Sequence, residues 1–112
     1  MEIWVSFDFG KFTVTPDPAT VKAGTPLIWR FRSNLAVQDR VRWTVYFYHG
    51  SPFRFEPKEI STTTQSAAGQ HAGATGTMVP DDPGDYKYGV RAEDAFKQNI
   101  LGDDDPRLIV TL

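Results

Sequence analysis

Val41-Arg42-Trp43-Thr44-Val45-Tyr46-Phe47-Tyr48 is the most regular stretch of the chain. Its residues Val41, Trp43, Val45 and Phe47 alternate with Arg42, Thr44, Tyr46 and Tyr48, and most of the run is β-branched or aromatic. Successive residues of a strand point to opposite faces, so this pattern predicts a strand with one face toward a core. Upstream, Leu27, Trp29 and Phe31 alternate with Ile28, Arg30 and Arg32, which predicts a strand with its arginines outward and their aliphatic stems laid over apolar surface. Ile3, Val5, Phe7 and Phe9 against Trp4, Ser6 and Asp8 predict another. Downstream, Tyr86, Tyr88 and Val90 alternate with Lys87, Gly89 and Arg91, and Leu108, Val110 and Leu112 with Ile109 and Thr111.

Turn residues separate these runs. Pro16 and Pro18 interrupt an extended segment that begins at Phe12 and reopens at Val21, and Ala23-Gly24, Gly50-Ser51-Pro52 and Pro80-Asp81-Asp82-Pro83-Gly84 are turn signals. Phe53 to Thr64 alternates weakly, Thr77 to Val79 is a short apolar piece, and a short helical turn is expected within Glu93 to Gln98. Ser66 to Gly76 is small, polar and glycine-rich, so a surface loop is expected there. About eight short strands with no helix of ordinary length predict an all-β, antiparallel two-sheet sandwich, one domain over residues 1–112.

Composition supports a globular chain: 40% of the residues are hydrophobic and 23% charged. At this length roughly two-thirds of the unfolded surface is buried on folding, so a core forms without staples and no cofactor is expected. The absence of cysteine rules out disulfides, thiolate metal sites and a cysteine nucleophile. No apolar run approaches the ~20 residues that cross a bilayer as a helix, and Met1 to Val5 lacks the features of a secretory leader, so a soluble protein, cytoplasmic as written, is expected. The net charge of −2 is unevenly spread: residues 22–58 carry +5 and residues 81–107 carry −4, so the two regions are expected to complement one another. An acidic balance gives no support to nucleic-acid binding.

Two stretches resemble the cupredoxins, the Greek-key sandwich of the plastocyanin and azurin type. Phe12-Thr13-Val14-Thr15-Pro16 followed by Ala19 to Trp29 is similar to that family's early extended segment and first aromatic strand. Pro83-Gly84-Asp85-Tyr86-Lys87-Tyr88 resembles its turn into the strand that carries the copper-binding cysteine, and Asp105 to Val110 its closing strand. The resemblance places that cysteine at Val90, one histidine near Arg42 or Trp43, and the remaining histidine and methionine within Glu93 to Leu101, where neither residue type occurs. The resemblance therefore implies the fold without the type-one copper site. An immunoglobulin-like sandwich is the alternative.

Candidate chemistry is sparse. His49 and His71 would need to converge with Glu56 or Met78 to hold a metal, no serine lies in a nucleophile-elbow pattern, and no phosphate-binding loop is present. Asp81, Asp82 and Asp85 with Asp103, Asp104 and Asp105 would make a calcium site only if both loops met at one end of the sandwich. Parity places Trp29 and Trp43 in the core and leaves Trp4, Tyr46 and Tyr48 outside. Arg30, Arg32, Arg42, Tyr46 and Tyr48 are therefore the expected binding residues, since arginine and tyrosine are enriched at protein interfaces. The expected function is a non-catalytic binding or assembly module for a protein partner or a second copy of the chain, aided by an edge position of the Ile3 to Phe9 strand. A carbohydrate-binding module, a calcium-dependent binding domain and an enzyme are the alternatives.

Overall fold

The computed structural model describes residues 1–8, 11–33, 41–53, 59–64, 66–67, 70–94 and 100–112. One layer contains β1 (Glu2–Asp8), β2 (Lys11–Thr15), β4 (Ile28–Ser33), β7 (Ser66–Ala67) and β8 (Gln70–Ala74), in the order β2-β1-β4-β8-β7. The other is built from two pieces. β5 (Val41–Tyr46), β6 (Glu59–Thr64), β10 (Gly89–Asp94) and β11 (Ile100–Asp104) form the sheet β11-β10-β5-β6, while β3 (Ala19–Lys22), β9 (Gly84–Lys87) and β12 (Arg107–Thr111) form β3-β12-β9. β9 runs into β10 across Tyr88, and β11 into β12 across Asp105-Pro106. The Tyr88 N–H donates to the Pro106 carbonyl at 3.0 Å, which bridges the gap and joins the two pieces into one layer.

The alternation read from the sequence sets the core. Ile3, Val5, Phe7, Leu27, Trp29, Phe31, Val41, Trp43, Val45, Phe47, Tyr88, Val90, Leu108 and Val110 are all buried, whereas Leu112 is exposed and Phe9 lies outside the described residues. Phe31 from the first layer and Trp43 from the second stack with centroids 5.2 Å apart, and Phe12 meets the edge of Trp43 at 6.3 Å. Toward the other end Trp29 packs edge-on against Phe47, Phe53 and Tyr88. The Trp29 indole N–H donates to the Tyr88 hydroxyl at 3.3 Å, which satisfies a buried donor that would otherwise be costly. Burial pushes the Tyr88 hydroxyl well above its ordinary pKa.

Several expectations are corrected. The sandwich is mixed rather than purely antiparallel: β1 pairs with β4, and β3 with β12, in parallel. Between β2 and β4 the chain visits the other layer as β3, so β4 returns beside β1 in the same direction; alternation carries no information on strand direction. β1 is no edge strand, because β2 covers one side and β4 the other. The expected loop from Ser66 to Gly76 contains β7 and β8, with β8 paired along β4 from Arg30↔Ala74 to Ser33↔His71. Its small residues give no period-two hydrophobic signal, yet they let a backbone lie beside two arginines. Thr77 to Val79 contributes one bridge, Met78 to Leu27. Glu93 and Asp94 belong to β10, and residues 95–98, the remainder of the expected helical turn, lie outside the described residues.

Candidate binding surfaces on the two outer faces

Residues of β1 and β4 with parity opposite to the core form the outer face of the first layer. Parallel pairing sets Trp4 beside Arg30 and Ser6 beside Arg32. Trp4 remains 40% exposed although both guanidinium carbons lie over its ring, at 6.0 Å for Arg30 and 5.6 Å for Arg32. Such cation–π contacts contribute about 0.5–1 kcal/mol each at exposed sites, enough to bias the orientation of long side chains. Arg30 Nε donates to Glu2 Oε1 at 2.6 Å, and this hydrogen bond holds the Glu2 carboxyl below its ordinary pKa. Arg32 Nε donates to Ser6 Oγ at 2.9 Å. That contact is neutral, so among the described residues Arg32 has no carboxylate counter-ion. Gly73 and Ala74 of β8 leave room beside the arginines, and with Trp4, Arg30 and Arg32 they line a shallow depression of about 380 Å³.

The second outer face is chemically different. Tyr46 and Tyr48 lie with ring centroids 5.7 Å apart, the Arg91 guanidinium carbon stands 5.3 Å from the Tyr46 ring, and His49 meets Tyr48 edge-on at 4.8 Å. Arg42 and Arg91 both approach Glu93, at 3.9 and 3.8 Å. The Tyr48 hydroxyl donates to Asp105 Oδ1 at 3.2 Å. Desolvation foremost, then the charges of Asp103 and Asp105, raise the Tyr46 hydroxyl above its ordinary pKa; desolvation and Asp105 do the same for Tyr48. Both acids therefore stand close to the tyrosines; Asp103 stands opposite Arg91 in the β10–β11 register, and Asp105 makes no ion pair among the described residues.

Arg30, Arg32, Arg42, Tyr46 and Tyr48 thus do not form one surface. Phe31 and Trp43 stack through the core, so Arg30 and Arg32, which flank Phe31, and Arg42, which precedes Trp43, point out of opposite sides of the sandwich, while Thr44 on the other side of Trp43 is buried. Parity along each strand is legible in the sequence, but which strands share a layer is not. The sequence reading also passed over Glu2, Ser6 and Arg91 as site components, and considered Asp103 and Asp105 only as calcium ligands rather than as neighbours of the tyrosines. Glu2, Trp4 and Ser6 carry a readable signal, since they alternate with Ile3, Val5 and Phe7 on a single strand.

The other candidate chemistries gain no geometry. His49 is exposed beside Tyr48, while the His71 side chain and Glu56 lie outside the described residues. Among the described residues no three His, Cys, Asp or Glu side chains converge on a possible metal position, the turn aspartates included. Asp85 instead pairs with Arg107, and Asp82 accepts the Tyr86 hydroxyl on its backbone carbonyl. A type-one copper does not fit the donor set: Val90 is fully buried among hydrophobic residues and offers no donor, and the chain has no cysteine to place there.

No family model and no curated protein sequence matches the chain. Solved structures do match. Auracyanin B superposes with a TM-score of 0.52 at 15% identity, covering 100% of this chain and 88% of that one. Auracyanin A, a blue copper protein from the green thermophilic photosynthetic bacterium Chloroflexus aurantiacus, aligns with a TM-score of 0.49 at 16% identity, covering 99% of this chain and 98% of that one. The likeness to auracyanin B establishes the fold as a cupredoxin-like sandwich, as the resemblance implied.

Proposed function

We propose that the chain is a non-catalytic, cupredoxin-like module that docks a protein partner through the outer face of its first layer, with Trp4, Arg30 and Arg32 at the centre of the contact. The observation that carries this reading is Trp4 itself, a large aromatic ring that remains 40% exposed beneath two arginines that are in turn oriented by Glu2 and Ser6. Tryptophan and arginine dominate binding energy at protein interfaces, and side chains already held in place lose less entropy when a partner arrives.

A sugar ring is a poorer fit. Stacking of that kind needs the open face of an indole, and here the arginines lie over the ring.

Capture from a native extract tests the docking role. Immobilised wild type is expected to retain a specific protein, Arg32→Glu to lose at least 90% of it, and Leu112→Ser, an exposed substitution just beyond β12 of the other layer, to retain it. Equal recovery by wild type and Arg32→Glu contradicts the reading.

A further inference from the structure

Among the described residues the charge imbalance in the sequence is neutralised only in part: Arg42 approaches Glu93, but the arginines of β4 meet no acid of the C-terminal region. Arg30 pairs with Glu2 rather than with an acid of the C-terminal region, and Arg32 pairs with no acid among the described residues. Asp103 stands opposite Arg91 in the β10–β11 register, whereas Asp105, which accepts the Tyr48 hydroxyl, makes no ion pair among the described residues. Among the described residues, one outer face therefore presents an indole with a guanidinium that has no carboxylate partner, and the opposite face presents two phenols with a carboxylate, Asp105, that has no cationic partner. The two groups lie on opposite sides of a sandwich about 20 Å thick, so they cannot meet within one chain.

Resting on the docking role proposed above, we infer that the occupant of the Trp4 face is a second copy of this chain, presenting its Tyr46–Tyr48–Asp105 face. The long dimension of 43 Å and a width of 21 Å make each face comparable to the roughly 800 Å² that each partner contributes to a stable interface. Arg32 gains a carboxylate it lacks, Asp105 gains a guanidinium, and ring meets ring at the centre. Because the complementary surfaces differ and lie on opposite sides, the contact is head to tail and does not close on itself; it propagates into a stack rather than stopping at a dimer. The sides of the sandwich offer no competing route through β1, whose backbone is paired along both edges.

Sedimentation of the purified chain tests this, sampled from about 10 μM to about 1 mM, where contacts of modest affinity saturate. The weight-average mass of the wild type is expected at least to double across the range, and the growth to shrink in 0.5 M salt because the charges at the rim are screened. Arg32→Glu disables one face and Asp105→Lys the other, so each alone is expected to stay at the monomer mass of 12.6 kDa. An equimolar mixture of the two retains one intact face on each chain. Asp105 of one variant meets Arg32 of the other at one contact and the two exchanged charges meet at the next, so the mixture is expected to grow as the wild type does with the two chains alternating, which also shows that both variants are folded. The double variant, with both charges exchanged, is expected to grow as the wild type does. A wild type that stays monomeric throughout, growth of either single variant equal to that of the wild type, or a mixture that stays monomeric overturns the inference. If the wild type is monomeric while Arg32→Glu still loses a captured protein, the docking role stands and the partner is a different chain.

Discussion

Trp43→Ala is expected to lower the stability of the fold by about 3–5 kcal/mol, the range for truncating a large aromatic residue in a core that cannot collapse around the loss. Trp43 has no exposed surface, stacks on Phe31 at 5.2 Å and takes the edge of Phe12 at 6.3 Å. It is therefore a principal contact between the two layers, and a cavity there separates side chains contributed by three strands. Tyr48, on the same stretch of sequence with opposite parity, is 41% exposed, so Tyr48→Ala is expected to cost under about 1 kcal/mol. Denaturant midpoints for the two variants measure the difference, and equal midpoints contradict the assignment of faces.

Gly89→Ala has the second largest expected effect, and its sign depends on one neighbour. Gly89 stands opposite Tyr46 in the β10–β5 register, and the Tyr46 ring covers it so closely that a methyl group at Gly89 would overlap the ring. The substitution is expected to cost about 1–3 kcal/mol through overpacking and to displace the ring from its contacts with Tyr48 and Arg91. With Tyr46→Ala already in place the overlap is gone. Gly89→Ala then becomes neutral or stabilising by up to about 1 kcal/mol, because alanine reduces the freedom of the unfolded chain. A thermodynamic cycle over the four proteins reads the coupling directly, and equal costs in both backgrounds would show that the ring does not rest on Gly89.

These two variants mark how far the sequence reaches. The parity of Trp43 is legible because seven of its neighbours follow one alternation, and period two is a property of a single strand. The same reasoning places Trp29 inside and Trp4 outside. What could not be read is everything that depends on two strands at once. The parallel pairing of β1 with β4 brings Trp4 onto Arg30 and Arg32, yet the two strands are separated by a passage through the other layer. β8 escaped notice for a different reason: its Gln70-His71-Ala72-Gly73-Ala74 sequence has neither large apolar residues nor β-branching, and it is held by pairing with β4 rather than by a hydrophobic face of its own. The split of the five expected binding residues into two surfaces follows from layer membership. The charge asymmetry of +5 against −4 was visible in the sequence, and Arg42 does approach Glu93 across the two regions, but Arg30 is neutralised by Glu2, which lies outside both.

The donor set of the family's copper site and the outer faces also separate two ways in which a cupredoxin-like fold can be used. Val90, where the resemblance would place the cysteine, is buried and contributes to packing, while exposed aromatic and charged residues lie on the flat sides of the sandwich. Function is grafted onto a fold through particular surface groups, so the sandwich alone does not assign an activity.

Oxidative footprinting of Trp4 tests the central claim most directly. With Trp29 and Trp43 fully buried, Trp4 is the only tryptophan open to a solvent-borne radical, and Leu112, 93% exposed, serves as the internal reference. The ratio of Trp4 to Leu112 modification is to be measured in dilute purified protein and again in the native extract. A docking face predicts rapid modification of Trp4 in the dilute protein and at least a threefold lower ratio in the extract, with protection lost in Arg32→Glu. An unchanged ratio would show that Trp4 and its arginines stay uncovered in their native surroundings and that this face is not the functional surface.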